Sequence, residues 1–482
     1  MQTSATIRDS MVGTNGYNLA NGSGAVCVES FHTEAAVKNV YIATGRARLA
    51  LLAIVAAMTA PAAHAVDGAF DPSWGNGGHL QINVSAGSDV GKMLLIQPDG
   101  KLLMAGTCYL PPNTQTFCAT RLLATGSYDT TFGPANHPGR VVLSESNLPD
   151  GQLVAASLTA GGGSVFVGNS FTTPTMPFAV IVKLDAAGSL VSSSADIFDP
   201  YFINALAVQP NGRIVVVGGR TGSSGMVVRR YLENLADDLV FGEAGTKEVA
   251  LVNSVGEAIA IQADSKIVVA GQDGTGKTAV VRLTANGQLD DDPVLGFGDA
   301  QSGIAIFGEV VSVAAIKIDR DGSLLLAGNV HGATGPVPSD DFFVNRLTPN
   351  GQQDPNFGLL CPPPDCAPGP AYIDFGGDND YAQAMAVQSD GKILVSGNRN
   401  SFARYFSVAR LTRYGDPDAS FGAGGNTQDY YGAAALSDTA SAIAIGNGGL
   451  IVAGFSREAA GINDRFGIAK LQLDLIFTDG VE

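Results

Sequence analysis

Charge is scarce in this chain. Charged residues make up 15% of the 482, against 45% apolar. That mixture excludes a disordered polyelectrolyte, which has few apolar residues and many charges. Basic residues are scarcer still: 28 Lys and Arg face 45 Asp and Glu, a net charge of −17. Duplex nucleic acid and anionic membrane surfaces are poor partners for such a balance, because both call for clustered Lys and Arg. The sequence holds a single Trp, five His and five Cys. It has no H-E-x-x-H and no G-x-S-x-G motif. Its 61 glycines do not recur at every third position, which excludes collagen. Long apolar runs are missing too. The longest, Leu49 to Ala60, ends at Pro61, short of the about 20 residues of a spanning helix.

That run belongs to a leader. Arg46 and Arg48 precede it and Ala63-His64-Ala65 follows it. A basic start, an apolar middle and a small-x-small end define a secretory signal peptide. Residues 46–65 are therefore expected to be cleaved after Ala65, and the product to be exported, either periplasmic or released. Residues 1–45 are polar and Gly/Asn-rich, and read as an unstructured pre-leader or a mis-assigned start. After cleavage no transmembrane segment is expected. Export favours disulfides. Cys108 with Cys118, and Cys361 with Cys366, are the expected local pairs. The alternative is a four-cysteine zinc site, but it would join distant repeats and neither spacing is C-x-x-C.

What the chain has in abundance is repetition. VGKMLLIQPDGKLLMAG ends at Gly106, and related segments end at Gly168, Gly218, Gly271, Gly328, Gly397 and Gly454. Successive copies are 50 residues apart at the closest (Gly168 to Gly218) and 69 at the widest (Gly328 to Gly397). Each copy is two apolar, β-branched runs around a tight turn such as Asp99-Gly100, Asn211-Gly212 or Asp390-Gly391, which reads as a hairpin. Ser265 is the one departure from glycine at that turn. A third apolar run follows with one basic residue in it: Arg121, Lys183, Arg230, Arg282, Arg346, Arg410 and Lys470. Then comes Asp-x-x-Phe-Gly, at Asp129, Asp238, Asp354 and Asp418. The fourth copy keeps only Phe297-Gly298, and the second lacks the motif. A short fourth strand can form beyond it.

Four strands per repeat predict an all-β fold, a single seven-bladed β-propeller over residues 66–475, with a tail at 476–482. The N-terminal segment carries Phe70-Asp71 and Trp74-Gly75, then a strand from His79 to Val84. This is the end of a repeat without its beginning. It is expected to complete the last blade beside residues 466–473, which would close the ring and remove an open edge.

QPDGKLLMAG, QSDGKILVSG and DPDASFGAGG resemble delta-60 repeats. That resemblance implies an exported bacterial β-propeller and carries no catalytic residues with it. The ending LIFTDGVE resembles a short terminal signal of some exported proteins, with Val481 in place of Phe.

Several motifs suggest chemistry. GQDGTGKT, residues 271–278, fits the phosphate-loop pattern, but such a loop must open a helix, and TAVVRLTANG aligns with a repeat's third strand. The seven basic residues lie within apolar strands, where a buried charge needs a partner. They are expected to be structural, one ion pair per blade, with the Asp of Asp-x-x-Phe-Gly as the natural partner. A cationic ring for an anionic ligand is the competing function. Asp290-Asp291-Asp292, Asp319-Arg320-Asp321-Gly322 and Asp378-Asn379-Asp380 offer incomplete calcium sets. No other cofactor is expected. His79, His137 and His331 fall in different repeats. Trp74 is expected in the core.

The function that follows is an exported, monomeric, non-catalytic binding or scaffold propeller, acting on a surface polysaccharide or a protein partner through its variable loops. The insertions Asn329 to Asp341 and Gly358 to Tyr372 are candidates. The alternative is a polysaccharide-acting hydrolase or lyase with its site at one mouth of the channel.

Overall fold

A computed structural model describes residues 26–28, 40–42, 67–111, 114–143, 150–170, 178–195, 201–220, 225–310, 312–332, 339–358, 367–376, 379–400, 404–431, 435–458 and 463–473. The chain divides into two units, Met1–Ala65 and Val66–Glu482. In the first, Val26–Val28 pairs antiparallel with Val40–Ile42. The leader segment 46–65 lies outside the described residues, as do Cys361, Cys366, Asp378 and the tail.

The second unit is all β. Among the described residues its one helical element is a 3-10 turn at Asp299–Gln301. The first repeat forms a four-stranded antiparallel sheet from Asp89–Ile96, Leu102–Leu110, Thr114–Leu122 and Arg140–Val142, in chain order. The next four repeats build sheets of the same order. The sixth (first strand Asn379–Val387) and the seventh (first strand Ala435–Gly446) are joined into one eight-stranded sheet by a parallel contact of Arg404 with Ser437. The seventh repeat supplies three strands, and its fourth is His79–Ile82, paired antiparallel with Phe466–Ala469.

The second strand of each repeat has sheets on both sides, so it is a continuous apolar run rather than an alternating one. Leu102, Leu103, Met104 and Ala105 are all buried. Cores form between consecutive sheets. Phe117 and Phe166 meet in one, Phe343 and Ala270 in another. A further core joins the seventh repeat to the first, through Ile451, Phe466, Leu94 and Met104.

The glycine that ends each copy has one cause. Every first strand carries a register shift at the same place, after Gly91, Leu153, Ile203, Gly256, Val313, Ala382 and Ala440. Such a bulge kinks the strand. It brings a first-strand carbonyl against the glycine opposite. A Cβ at Gly106, Gly271 or Gly454 would fall 2.1, 2.0 or 1.8 Å from that oxygen.

Candidate functional site

The seven repeat cations sit on the third strands, and each has a carboxylate partner. Arg121, Arg230 and Arg410 place Nε 2.8 Å from Asp129, Asp238 and Asp418. Arg346 lies 3.1 Å from Asp354, and Lys470 lies 3.0 Å from Asp71. The missing Asp of the fourth copy is found at Asp290, 2.5 Å from Arg282. It was hidden by the longer spacing to Phe297. Lys183, whose repeat lacks the motif, reaches Glu233 of the next repeat at 2.8 Å.

The motif Phe completes the clamp. The guanidiniums of Arg121, Arg230, Arg282 and Arg410 stack 4.6–4.8 Å from the rings of Phe132, Phe241, Phe297 and Phe421. The clamp then grips its neighbour. Arg121 Nη1 donates to the carbonyl of Ala186 at 2.5 Å, and Arg282 Nη1 to that of Pro349 at 2.6 Å, each in the next repeat's turn. Gly133, Gly242 and Gly298 donate their amides to the same turns, at 2.8–2.9 Å. The motif Phe lies flush on the turn glycine. A Cβ on Gly188 or Gly351 would sit 2.6 or 2.4 Å from Phe132 or Phe297.

The staple continues across the chain ends. Trp74 takes the motif Phe position, is 3% exposed, and lies against Gly126 of the first repeat. Phe421 of the sixth repeat lies against Gly68, whose φ is +84°. Gly68 therefore serves as the turn glycine of the seventh repeat. Its amide donates to the carbonyl of Gln472 at 2.9 Å, and Gln472 donates to Ala69 at 2.7 Å. One turn is thus assembled from two distant stretches of chain.

These regular turns and staples share one face with the hairpin turns. The opposite face, the loop face, is the end at which second strands lead on to third strands. GQDGTGKT makes one such connection: Asp273–Gly276 is a turn between strands Ile267–Gln272 and Lys277–Leu283, with no helix.

At the rim of that loop face, first strands carry a buried Asp two residues before the bulge in three repeats: Asp89, Asp380 and Asp438. Each accepts the amide of the segment entering its sheet. Val84 N donates to Asp89 Oδ2 and Phe375 N to Asp380 Oδ2, both at 2.7 Å, and Tyr431 N donates to Asp438. Asp89 is saturated: Ser85 adds its hydroxyl at 2.5 Å and its amide at 3.2 Å to Oδ1. In the sixth repeat Gly376 stands where Ser85 would be, and its amide turns to Asp374 at 2.7 Å. Oδ1 of Asp380 is left buried without a hydrogen-bond partner. Carboxylate oxygens of Asp341, Asp374 and Asp380 lie within 4.8 Å of one another. Burial pushes Asp380 up to about 7, against the Phe375 amide, with the charges of Asp374 and Asp341 adding to the rise and Arg399 opposing it. Asp380 belongs to a cluster singled out in the sequence. Asp341 and Asp374 carried no local signal, because each comes from a different strand end.

The other acidic clusters have different employment. Asp290 is held by Arg282, and Asp319 and Asp321 by Arg346 at 3.2 and 2.5 Å. Cys108 and Cys118 form a disulfide with Cα atoms 5.8 Å apart. The histidines stay apart: His331 pairs with Asp340 at 2.8 Å, and the His79 ring meets that of Phe70 at a tilt of 55°. Two first-strand lysines, Lys92 and Lys317, are pushed down by burial, and Glu257 is pushed up by it.

A cleft of about 230 Å³ opens between the second and third repeats, lined by Val165, Lys183, Asn211, Ile214 and Glu233. It lies where the second repeat has no Phe-Gly staple.

A family model described as a domain of unknown function (DUF5122) beta-propeller matches residues 209–236, 262–292 and 388–421. Each match opens at the glutamine of a hairpin turn and runs through the third strand with its Arg. No curated protein matches the sequence. Among solved structures, a catalytically inactive virginiamycin B lyase from Staphylococcus aureus with quinupristin is 11% identical, at a TM-score of 0.46, over 81% of this chain and 98% of that one. A protein of unknown function from Dyadobacter fermentans is 10% identical, at 0.43, over 84% of this chain and all of its own. An ulvan lyase, from a new polysaccharide lyase family, is 11% identical, at 0.42, over 82% and 96%. With its four-stranded antiparallel sheets and three matched repeat segments, the chain is a β-propeller repeat protein.

Proposed function

We propose that residues 67–473 close into a ring of seven delta-60-type blades, and that this ring is an exported, monomeric, non-catalytic binding or scaffold protein. Its ligand is a surface polysaccharide or a protein partner held on the loop face. The observation that carries this reading is the division of labour between the faces. One face spends its seven cations on ion pairs, and Arg121, Lys183, Arg230, Arg282, Arg346 and Arg410 reach on to the next repeat's turn. Second and third strands are joined by stretches whose length differs from repeat to repeat, and function concentrates on such variable segments over a rigid scaffold. Ring closure is supported by the core shared between the seventh and first repeats and by the Trp74 staple. Export is supported by the disulfide, which persists in oxidising compartments. It is supported too by the unit boundary at Ala65–Val66, where cleavage is expected.

The test is a thermal-shift survey of the full chain against surface polysaccharides and protein fractions, with product analysis of each binder. A ligand that binds only the folded state raises stability by about 2.7 kcal/mol at a hundredfold excess over Kd. Binding without turnover, lost on loop-face substitution and kept on staple-face substitution, is the expected result. Cleavage of a bound polysaccharide would replace this reading with the enzymatic one.

A further inference from the structure

The geometry points to a calcium site at Asp341, Asp374 and Asp380, on the rim of the loop face between the fifth and sixth repeats. Three carboxylates supply oxygens that lie within 4.8 Å of one another. Calcium binds oxygens at about 2.3–2.6 Å, so oxygens up to about 5 Å apart can share one ion. The donor set is all oxygen, with no imidazole or thiolate, which selects a hard cation over zinc or copper.

A cluster of acids alone would say little. The added observation is the comparison of Asp380 with Asp89, which holds the same place in the first repeat. Both are fully buried and both accept an entering amide at 2.7 Å. Asp89 fills its other oxygen with Ser85. Asp380 has Gly376 there, and its Oδ1 is buried without a hydrogen-bond partner. That oxygen belongs to the carboxylate grouped with those of Asp341 and Asp374. A buried acceptor costs free energy unless something donates to it, and a cation shared with the carboxylates of Asp341 and Asp374 answers the open oxygen of Asp380. Asp374 is exposed and gives the ion its entrance, while Asp341 and Asp380 are buried and fix the floor. The flanking loop is tied in by Asn379 Oδ1, which accepts the Asp340 amide at 3.0 Å. Arg399 is the positive group nearby, donating to the carbonyl of Gly376 at 3.4 Å.

The test is calorimetric titration of the chelator-treated full chain with calcium chloride, then with magnesium chloride, alongside thermal midpoints. One calcium per chain is expected, with Kd in the range of about 0.1–1 mM seen for extracellular modules, weaker magnesium binding, and a midpoint that rises with calcium. Asp374→Asn changes an exposed residue and keeps the fold. It should weaken calcium at least about tenfold, a loss of about 1.4 kcal/mol. Asp380→Asn should abolish the response, and Asp438→Asn, in the seventh repeat, should leave it intact. Absence of calcium binding by the unaltered chain would overturn the site. So would undiminished binding by Asp374→Asn. Either result leaves the scaffold reading standing, because that reading rests on the staples and not on the ion.

Discussion

Arg410 Nη1 lies 2.7 Å from a carboxylate oxygen of Asp67, while its Nε lies 2.8 Å from Asp418. The Arg410 side chain is wholly buried. In the other arginine staples Nη1 donates to a turn carbonyl. Here it goes to a carboxylate, because the turn of the seventh repeat is assembled from residues 67–69 and 472–473. Removing one partner of a buried pair costs about 3–5 kcal/mol, since the other charge is left uncompensated. Arg410→Ala should therefore lower unfolding free energy by that amount in urea titration. Lys183→Ala, whose partner Glu233 is exposed, should cost under about 1 kcal/mol. Equal losses would contradict the burial argument.

Leu235 occupies a turn position that is Gly126, Gly188, Gly287, Gly351 and Gly415 in other repeats. It holds a φ of +69° there and is buried among Tyr201, Ile214 and Tyr231. The preceding repeat is the one without a motif Phe, so no ring needs the space. Leu235→Ala should cost about 2–5 kcal/mol through the cavity it leaves. Leu235→Gly should lose about 1 kcal/mol less, because it relieves the left-handed backbone. A glycine variant less stable than the alanine variant would contradict that account.

Ser265 holds a φ of +67° at a hairpin turn where the others have glycine. Its amide donates to Gln262 at 2.9 Å, as Gly100 donates to Gln97. Ser265→Gly keeps that bond and removes the steric penalty. A gain of up to about 1 kcal/mol is expected, read as a raised thermal midpoint. A lowered midpoint would show that the serine makes a compensating contribution.

Burial pushes Asp438 up to about 7 from an ordinary 3.8, against the bonds from Ser456 and the Tyr431 amide. The folded state then holds a proton that the unfolded chain has released. Stability from this group is complete below pH 3.8, declines as pH rises toward 7 and is lost above it. Asp129 and Asp418 act in the opposite sense. Burial would raise them, but Thr131 and Ser420 hydrogen bonds with nearby cations hold both at about 2. Their contribution is present above 3.8 and is lost as pH falls through 2. The unfolding midpoint should fall from pH 5 to pH 8, and Asp438→Asn should lessen that fall without removing it, because Asp380 is raised to about 7 as well. A midpoint that rises over this range would contradict the sign.

The strands were legible because their signals are local. The Asp-Gly hairpins, the apolar runs and the recurring cation of each third strand could be read along the repeats. The pairing of His79–Ile82 with Phe466–Ala469 could also be anticipated, since one end lacked what the other supplied. Departures from the repeat were harder. Asp290 was displaced by an insertion, and Leu235 makes sense only beside a Phe that is missing from another repeat. The acidic triad was least legible. Asp341, Asp374 and Asp380 lie on three separate strand ends, brought together only when the fifth and sixth repeats pack.

The turn built from both Gly68 and Gln472 sets an order on the protein's birth. A growing chain emerges N-terminus first, so His79–Ile82 must wait for its partner at Phe466–Ala469, which emerges only after the intervening repeats. Until then a strand edge and the Trp74 ring stand without their final cover, and unpaired edges invite association with other chains. Pairings so distant in sequence form slowly. A nascent chain stalled before residue 466 would carry six repeats able to pack on one another and a first segment with nowhere to go.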